Sequence, residues 1–298
     1  MIPRSATVAI NPLQWFATAD GWLDWGLAPP WPELMAEVKR AGFDAVHTRV
    51  PPDIDPRDYG RIIRNAGLEP APGTTAFDLP EDGVEIEVTL DSIRRTANGY
   101  AELGLNHLFV LACVHPDAPR ARRPAKGTQS DPARLARIAE LLAQAGRIAT
   151  AAGVLPILHP HVGTWVETAD ETRFLLDNVD PEYLGFGPDV GHLSWAGADP
   201  SELVAAYRER VFGAHLKDFR ASVMAESKAA GRTYQQTVSA GLWTEPGRGD
   251  FDYQRFWDAL GPDFSGTLVV EVDRGALQPP FESARVSADW VKAQIAAF

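Results

Sequence analysis

The chain has 298 residues, 45% hydrophobic and 23% charged, a composition typical of a globular protein with a large core. Its formal net charge of −12 argues against a nucleic-acid partner, because binding to phosphate backbones depends on Lys and Arg. A single cysteine, Cys113, excludes an intramolecular disulfide, and neither a signal peptide nor an apolar run of the roughly 18 residues of a membrane span is visible, so we expect a cytoplasmic protein without membrane contact.

Short apolar runs alternate with amphipathic stretches eight times along the chain, which is the pattern of successive parallel βα units. The predicted strands are 7–15, 45–50, 68–77, 107–115, 155–161, 183–192, 212–220 and 266–274. The predicted helices are 31–42, 55–67, one ending at Gly104, 131–153, 169–178, 199–211, 251–260 and 281–298. Glycines and N-capping aspartates mark several of their ends.

Eight such units predict one (β/α)8 barrel domain over residues 1–298, with a long insertion at about 221–250 after the seventh strand. The alternative is an open doubly wound sheet, but no Gly-rich turn of the G-x-G-x-x-G type follows the first strand. The basic run at 118–127 is interpreted as a solvated loop after strand four, and a lid with a substrate-facing arginine is the alternative.

Polar side chains gather at the C-terminal ends of the predicted strands. They comprise five of the seven histidines and two carboxylates: His115, His159, His161, His192, His215, Asp189 and Glu271. In a barrel these ends converge on one mouth, and a buried carboxylate there is costly unless it is paired or bound to a cation. A single strand-end histidine is usually a hydrogen-bonded rim residue, but their joint occurrence predicts a divalent-metal site formed by His159, Asp189, His215 and Glu271.

Four sequence runs carry a family resemblance: LHPHVGTWVET (158–168), GPDVGHLSWAGADP (187–200), AHLKDFR (214–220) and LVVEVD (268–273). They resemble the xylose isomerase-like sugar isomerase and epimerase family and, within it, the inosose dehydratases. The resemblance also includes AINPLQW (9–15) and the excursion 223–253, so it covers nearly the whole chain. It implies a TIM barrel, a reaction through an enediolate, and the same four metal ligands. Manganese or cobalt is the expected ion, with magnesium, iron or zinc as alternatives, and dimers or tetramers are expected.

Position 159 departs from many members of that family, which carry a glutamate there and use it with the strand-eight glutamate as paired bases. Epimerisation needs two groups of similar pKa, whereas β-elimination needs one base and one acid. His159 therefore favours dehydration, with Glu271 as the base and His161, His192 or Lys217 as the proton donor. Three alternative roles stay open. Glu167 could be a second carboxylate base, Lys217 could hydrogen-bond a substrate hydroxyl, and His192 could orient a metal ligand.

The predicted substrate contacts are Trp15, whose ring suits the C–H face of a polyol, together with Glu167, Lys217 and Arg248. No Gly-rich phosphate cradle follows strands seven or eight, so we expect an unphosphorylated keto-sugar or polyol substrate. The predicted activity is a metal-dependent lyase that removes water from an inosose-like ring. The alternatives are a keto-sugar isomerase or 3-epimerase, a lyase on oxidised glycosides, an abasic-site endonuclease and a non-catalytic barrel.

Overall fold

Strands and helices alternate along the computed structural model, which describes residues 1–27 and 29–296. The strands are β1 Thr7–Asn11, β2 Ala45–His47, β3 Glu69–Ala71, β4 Thr74–Phe77, β5 His107–Ala112, β6 Leu155–Leu158, β7 Gly185–Phe186, β8 Gly213–Leu216, β9 Asp218–Phe219, β10 Trp243–Thr244 and β11 Thr267–Glu271. The helices are α1 Trp31–Ala41, α2 Pro56–Asn65, α3 Ile86–Leu103, α4 Pro119–Arg122, α5 Pro132–Thr150, α6 Ala169–Asn178, α7 Val190–Trp195, α8 Pro200–Ala206, α9 Ala221–Ala229, α10 Tyr234–Ser239, α11 Tyr253–Leu260 and α12 Pro280–Ala296.

The strands close into a barrel. One sheet has the order β3-β2-β1-β11-β8 and another the order β4-β5-β6-β7, with parallel pairing throughout both. On one side the sheets are joined because β3 and β4 are two halves of the third predicted strand. On the other side, parallel bridges pair Phe186 with Val211 and Asp189 with His215. The predicted (β/α)8 barrel is therefore confirmed.

Several predicted strands are shorter in the structure, because the chain turns away from the sheet at their C-terminal ends. The predicted strand 183–192 keeps only β7, and the segment after it forms α7, whose N-cap Asp189 accepts a hydrogen bond from the His192 N–H at 2.9 Å. The predicted strand 7–15 ends at Asn11, before a 3-10 turn at Leu13–Trp15. A short buried helix and a buried strand have the same apolar pattern, so the sequence could not separate them. Residues 297–298 of the predicted helix 281–298 lie outside the described part of the chain.

The barrel interior is filled by small side chains on some strands and by one large aromatic ring. The first three strands contribute a buried cluster of alanines at positions 9, 45 and 71, whereas β5, β6 and β11 contribute Phe109, Ile157 and Val269. A Cβ atom at Gly187 would lie 2.7 Å from the Phe109 ring, and one at Gly213 would lie 2.8 Å from it. Glycine at both positions leaves the space that the ring fills, so Phe109 forms a floor beneath the barrel mouth.

After β8 the chain leaves the barrel for the excursion that the sequence places at about 221–250. It contains α9 and α10, and returns as β10, which pairs antiparallel with β9 through Trp243 and Phe219. A threonine at 233 caps α10 by accepting from the Gln236 N–H, and the Gln236 side chain accepts in return from the Thr233 N–H. Among the described residues, no helix combines the length and hydropathy needed to cross a membrane.

Candidate metal centre

Four side chains meet at the C-terminal mouth of the barrel. His159 follows β6, Asp189 follows β7, His215 lies in β8 and Glu271 ends β11. Asp189 Oδ2 lies 3.9 Å from both His159 Nε2 and His215 Nδ1, and Glu271 Oε2 lies 3.1 Å from His215 Nδ1. All four are buried. The structure thus brings together the four residues that the sequence singles out as metal ligands.

The cluster contains nitrogen and oxygen atoms that lack hydrogen-bond partners, and such atoms can bind a cation. His159 Nδ1 donates to the Gly187 carbonyl at 3.1 Å, which turns Nε2 towards Asp189. Asp189 uses Oδ1 as the cap of α7, and its buried Oδ2 has no hydrogen-bond partner. Neither ring nitrogen of His215 makes a hydrogen bond of acceptable geometry. Buried polar atoms are rarely left without a partner, so these convergent lone pairs are suited to a divalent metal ion.

The centre has more carboxyl groups than ammonium groups, and this excess also suits a divalent cation. Three carboxyl groups, Asp189, Glu271 and Asp273, surround the single Lys217 ammonium, whose Nζ lies 3.7, 2.6 and 2.8 Å from them. Burial lowers the pKa of His159 well below 6.5, which keeps that imidazole neutral. Burial raises the pKa of Asp189 to about 6 when no cation is present. A divalent cation would neutralise the remaining charge.

Lys217 links the two carboxylates of the last strand. Burial alone would lower its pKa, but Asp273 and Glu271 outweigh it and raise the pKa well above 10.5, so the ammonium stays charged. Its Nζ also donates to His192 Nε2 at 3.0 Å and lies 5.1 Å from the centre of the Trp243 ring. The lysine therefore holds Glu271 and Asp273 close to one another on the same side of the mouth.

Glu271 and Asp273 have pKa values that are displaced in opposite directions. Burial favours the neutral form of Glu271, but Lys217 and His215 outweigh it and hold its pKa well below 4.5. Asn11 Nδ2 supports the carboxylate by donating to Oε2 at 2.5 Å. For Asp273, burial raises the pKa despite the neighbouring Lys217, and the charge of Glu271 adds to the rise. One carboxylate is thus an ionised acceptor, and the other is the better proton donor.

A cavity of about 210 Å³ opens onto the two carboxylates. Its wall is largely apolar and aromatic, with a few polar and charged groups; the lining includes Leu13, Trp22, Leu23, Trp25, Val114, His161, Tyr234, Glu271, Asp273 and Arg274. The volume is below the roughly 300–1,000 Å³ of common ligand sites, so it suits one small ring rather than an extended chain.

Two of the three other predicted strand-end histidines, His161 and His192, lie side by side at this cavity. The rings of His161 and His192 lie 3.6 Å apart between centroids. His161 Nδ1 donates to the Val162 carbonyl at 2.8 Å, which leaves Nε2 available. Burial lowers the pKa of His161 to about 3 and that of His192 well below 6.5. Burial therefore favours the neutral form of both rings, and their role as proton donors stays a prediction.

The sequence of the chain matches a known protein family. The family model described as xylose isomerase-like TIM barrel matches residues 35–294. The chain belongs to that family. Inosose dehydratase 2 of Bacillus cereus (strain ZK / E33L) is 34% identical to it over 286 residues, 93% of each sequence. The inosose dehydratase of Lactiplantibacillus plantarum is 34% identical over 149 residues, 49% of this chain and 50% of that relative.

Solved structures of xylose isomerase-like barrels superpose on most of the chain. A protein of this kind from Mycobacterium smegmatis in complex with magnesium has a TM-score of 0.70 at 17% identity, covering 100% of this chain and 99% of its own. An L-ribulose 3-epimerase has a TM-score of 0.69 at 15% identity, covering 98% and 95%. The IolI protein with a zinc atom bound has a TM-score of 0.67 at 16% identity, covering 98% of each chain. At these identities the likeness establishes the fold.

Three predicted substrate contacts of this xylose isomerase-like barrel lie elsewhere, and none of them lines the cavity. Trp15 packs in the core, where its Nε1 donates to Glu37 Oε2 at 2.6 Å. The Arg248 side chain is 52% exposed beside Glu245. The carboxylate of Glu167 accepts four backbone N–H groups, from Gly163, Ala125, Lys126 and Gly127, so it anchors the basic loop after β5 and is not available as a second base.

Four residues of the site were missed by the sequence interpretation: Asn11, His47, Tyr234 and Asp273. Asn11 and Asp273 lie at strand ends, and Asp273 follows Glu271 by two residues, which is the spacing of one strand face. The same rule that singled out the histidines could have found them. His47 is bonded through Nε2 to Thr74 Oγ1 at 2.7 Å beside His215. Tyr234 lies in the excursion, where no strand-end rule applies.

Proposed function

We propose that this protein is a divalent-metal-dependent lyase that removes water from an inosose-like keto-cyclitol or a related keto-sugar. The observation that carries the proposal is the pair Glu271 and Asp273, which share one lysine and have pKa values moved apart. The similarity to inosose dehydratases over 93% of the chain supports the same reaction class.

The residues that would hold the metal are His159 through Nε2, Asp189 through Oδ2, His215 and Glu271. A bound divalent cation would act as a Lewis acid on the ketone oxygen and the neighbouring hydroxyl of the substrate. The mixed nitrogen and oxygen ligands lead us to propose manganese or cobalt, although related barrels have been solved with magnesium and with zinc. Elemental analysis of protein purified without chelators tests this choice.

We propose that the carboxyl groups of Glu271 and Asp273 carry out the two proton transfers. Glu271, kept ionised by Lys217, accepts the α-proton as the C–H bond breaks. Asp273 donates its proton to the β-hydroxyl, which leaves as water when the C–O bond breaks. Once the product has left, Glu271 releases its proton to water and Asp273 regains one from water, while the Lys217 ammonium stays charged and contacts both groups, at 2.6 and 2.8 Å. His161 and the aromatic wall of the cavity exclude water and position the ring.

The arrangement favours elimination over epimerisation. Epimerisation removes a proton from one face of the substrate and returns one to the other. Glu271 ends β11 and Asp273 follows it by two residues; both contact the same ammonium and line the same cavity, so we infer that both act on one face of the substrate. Glu167 would be the alternative second base, but both of its oxygens accept hydrogen bonds from backbone N–H groups of the surrounding loops. A keto-sugar isomerase or 3-epimerase is the second candidate, and it is favoured by the likeness to the L-ribulose 3-epimerase fold.

The test incubates the metal-loaded protein with inososes and keto-sugars in deuterated water, following ultraviolet absorbance and deuterium uptake. A dehydratase yields an absorbing enone or dione. For Asp273→Asn we expect a fall in water loss of about 10²–10⁴-fold with deuterium uptake at the α-carbon retained, whereas Glu271→Gln loses both. Deuterium uptake by the unmodified protein without an absorbance change would refute the dehydratase and favour the second candidate.

Two further properties stay predictions. An unphosphorylated substrate is expected, and phosphorylated and unphosphorylated keto-sugars in the same panel test this point. A homodimer or homotetramer is expected, and multi-angle light scattering of the purified protein measures its mass in solution.

A further inference from the structure

A second group of metal-binding side chains lies at the ends of two neighbouring strands, apart from the centre described above. β4 and β5 pair in parallel up to Phe77 and Ala112, and the Cys113 N–H donates to the Phe77 carbonyl at 2.8 Å. This register places Asp78 beside Cys113 as the chain leaves the two strands. His115 follows two residues later.

The three side chains contact one another. His115 Nε2 lies 2.7 Å from Asp78 Oδ1, and the Cys113 thiol lies beside the same carboxyl group. One ligand atom from each residue lies within 4.8 Å of the other two. The His115 and Asp78 side chains are 41% and 22% exposed, so an ion can enter from solvent. Val114, between the cysteine and the histidine, lines the 210 Å³ cavity, which places the group at the edge of that cavity.

We propose that Asp78, Cys113 and His115 form a second metal site, which takes a borderline divalent ion such as Zn²⁺, Co²⁺ or Cd²⁺. A thiolate, an imidazole and a carboxylate form a tetrahedral set with one position left for water or substrate. The thiolate distinguishes this site from the first centre, whose ligands are nitrogen and oxygen, because sulfur selects softer ions over Mg²⁺ or Mn²⁺.

The electrostatic environment agrees with a cation at this place. Burial, together with the negative charges of Asp78 and Asp82, raises the pKa of the Cys113 thiol to about 11. A metal ion would take the place of the thiol proton, which is released to solvent, and would separate the His115–Asp78 contact. Asp82 contributes charge and not coordination, because its oxygens accept from the Trp165 Nε1–H and the Leu79 N–H.

Cobalt titration of the metal-free protein tests the site directly. Cobalt bound to a thiolate gives an intense charge-transfer band in the near ultraviolet, and Cys113 is the only cysteine of the chain. Because the first centre is also proposed to take cobalt, we expect the band to saturate by two equivalents, to vanish in Cys113→Ser and to persist in His215→Asn, which removes a ligand of the first centre only.

Two variants and one matched control refine the test. Asp78→Asn and His115→Gln should each weaken the cobalt affinity measured by the band by at least about tenfold. His107→Gln changes a histidine at the opposite end of β5 and should leave the band unchanged. Absence of the band in reduced, folded protein would overturn the proposal, as would an unchanged affinity in the double variant Asp78→Asn/His115→Gln. The outcome is independent of the proposed lyase activity.

Discussion

Replacing Phe109 by alanine should disturb the barrel interior and the metal centre together. The ring is fully buried, and it fills the space that glycines at 187 and 213 leave open. Its centroid lies 4.6 Å from that of His215 and 5.7 Å from that of His159. The same ring therefore supports the barrel interior below and the side chains of His159 and His215, two of the four proposed metal ligands, above.

The magnitude follows from what can replace the ring. Truncation of a buried phenylalanine to alanine costs about 3–5 kcal/mol, and the loss is larger where the surroundings cannot collapse. The facing positions at 187 and 213 have no side chains that could move into the cavity, so we expect a loss near the upper end. Loss of the support beneath two ligands should also weaken metal binding by about 10–100-fold. Phe109→Leu keeps part of the volume and should show smaller effects on both.

Two measurements on the same variants separate these effects. Urea unfolding of the metal-free protein gives the change in the free energy of unfolding, and calorimetric titration with Mn²⁺ gives the change in affinity. A stability loss below about 1 kcal/mol for Phe109→Ala would refute the role of the ring as a floor, since typical surface substitutions cost less than that. Full loss of stability with unchanged metal affinity would refute its role in holding the two histidines.

Three other perturbations test the buried polar groups. Arg120→Met removes a bidentate ion pair with Glu171, with distances of 2.5 and 2.9 Å, and should cost about 3–5 kcal/mol in urea unfolding; a loss under about 1 kcal/mol would contradict this. Glu167→Gln should speed hydrogen exchange at the amides of residues 125–127, and unchanged exchange rates would mean that the carboxylate does not anchor the loop. Burial lowers the pKa of His47 and His161 to about 3, so the folded metal-free protein binds fewer protons than the unfolded chain between about pH 3 and 6.5. The free energy of unfolding should therefore fall as the pH falls through that window, by up to about 1.4 kcal/mol per pH unit for each histidine, and a flat profile in urea unfolding would refute their burial as neutral rings.

Two features were accessible from the sequence because both depend on periodicity: the barrel, and the meeting of the four proposed metal ligands at its mouth. Eight strand patterns predict the barrel, and a barrel brings strand ends together whatever their separation along the chain. Element bounds were less accessible: the segment containing Asp189 and His192 was predicted as strand and forms a cap and a helix. The apolar pattern is the same in both cases, and the choice depends on tertiary packing.

The roles of individual side chains depended on contacts that no local pattern encodes. Glu167 was a reasonable candidate base from its position, but four backbone N–H groups from two loops occupy it. Trp15 follows β1 and turns inward to Glu37 instead of towards the cavity. The low pKa of Glu271 depends on Lys217, which lies between β8 and β9, and the raised pKa of Asp273 depends on burial. Residue type and spacing indicated a reactive site at the barrel mouth. The role of each side chain could be assigned only from the contacts that the fold creates.

The two carboxylate oxygens of Asp189 have different roles, which limits how such a centre could change during evolution. One of its oxygens begins a helix and the other faces the metal position, so any substitution there alters the scaffold as well as the chemistry. His159 is held to the protein through one hydrogen bond to the Gly187 carbonyl, and its side chain starts where β6 has already ended. Exchange of this residue would change the charge and basicity of the site without removing a helix cap. Position 159 is therefore the point at which one barrel could pass from one reaction to another by a single substitution.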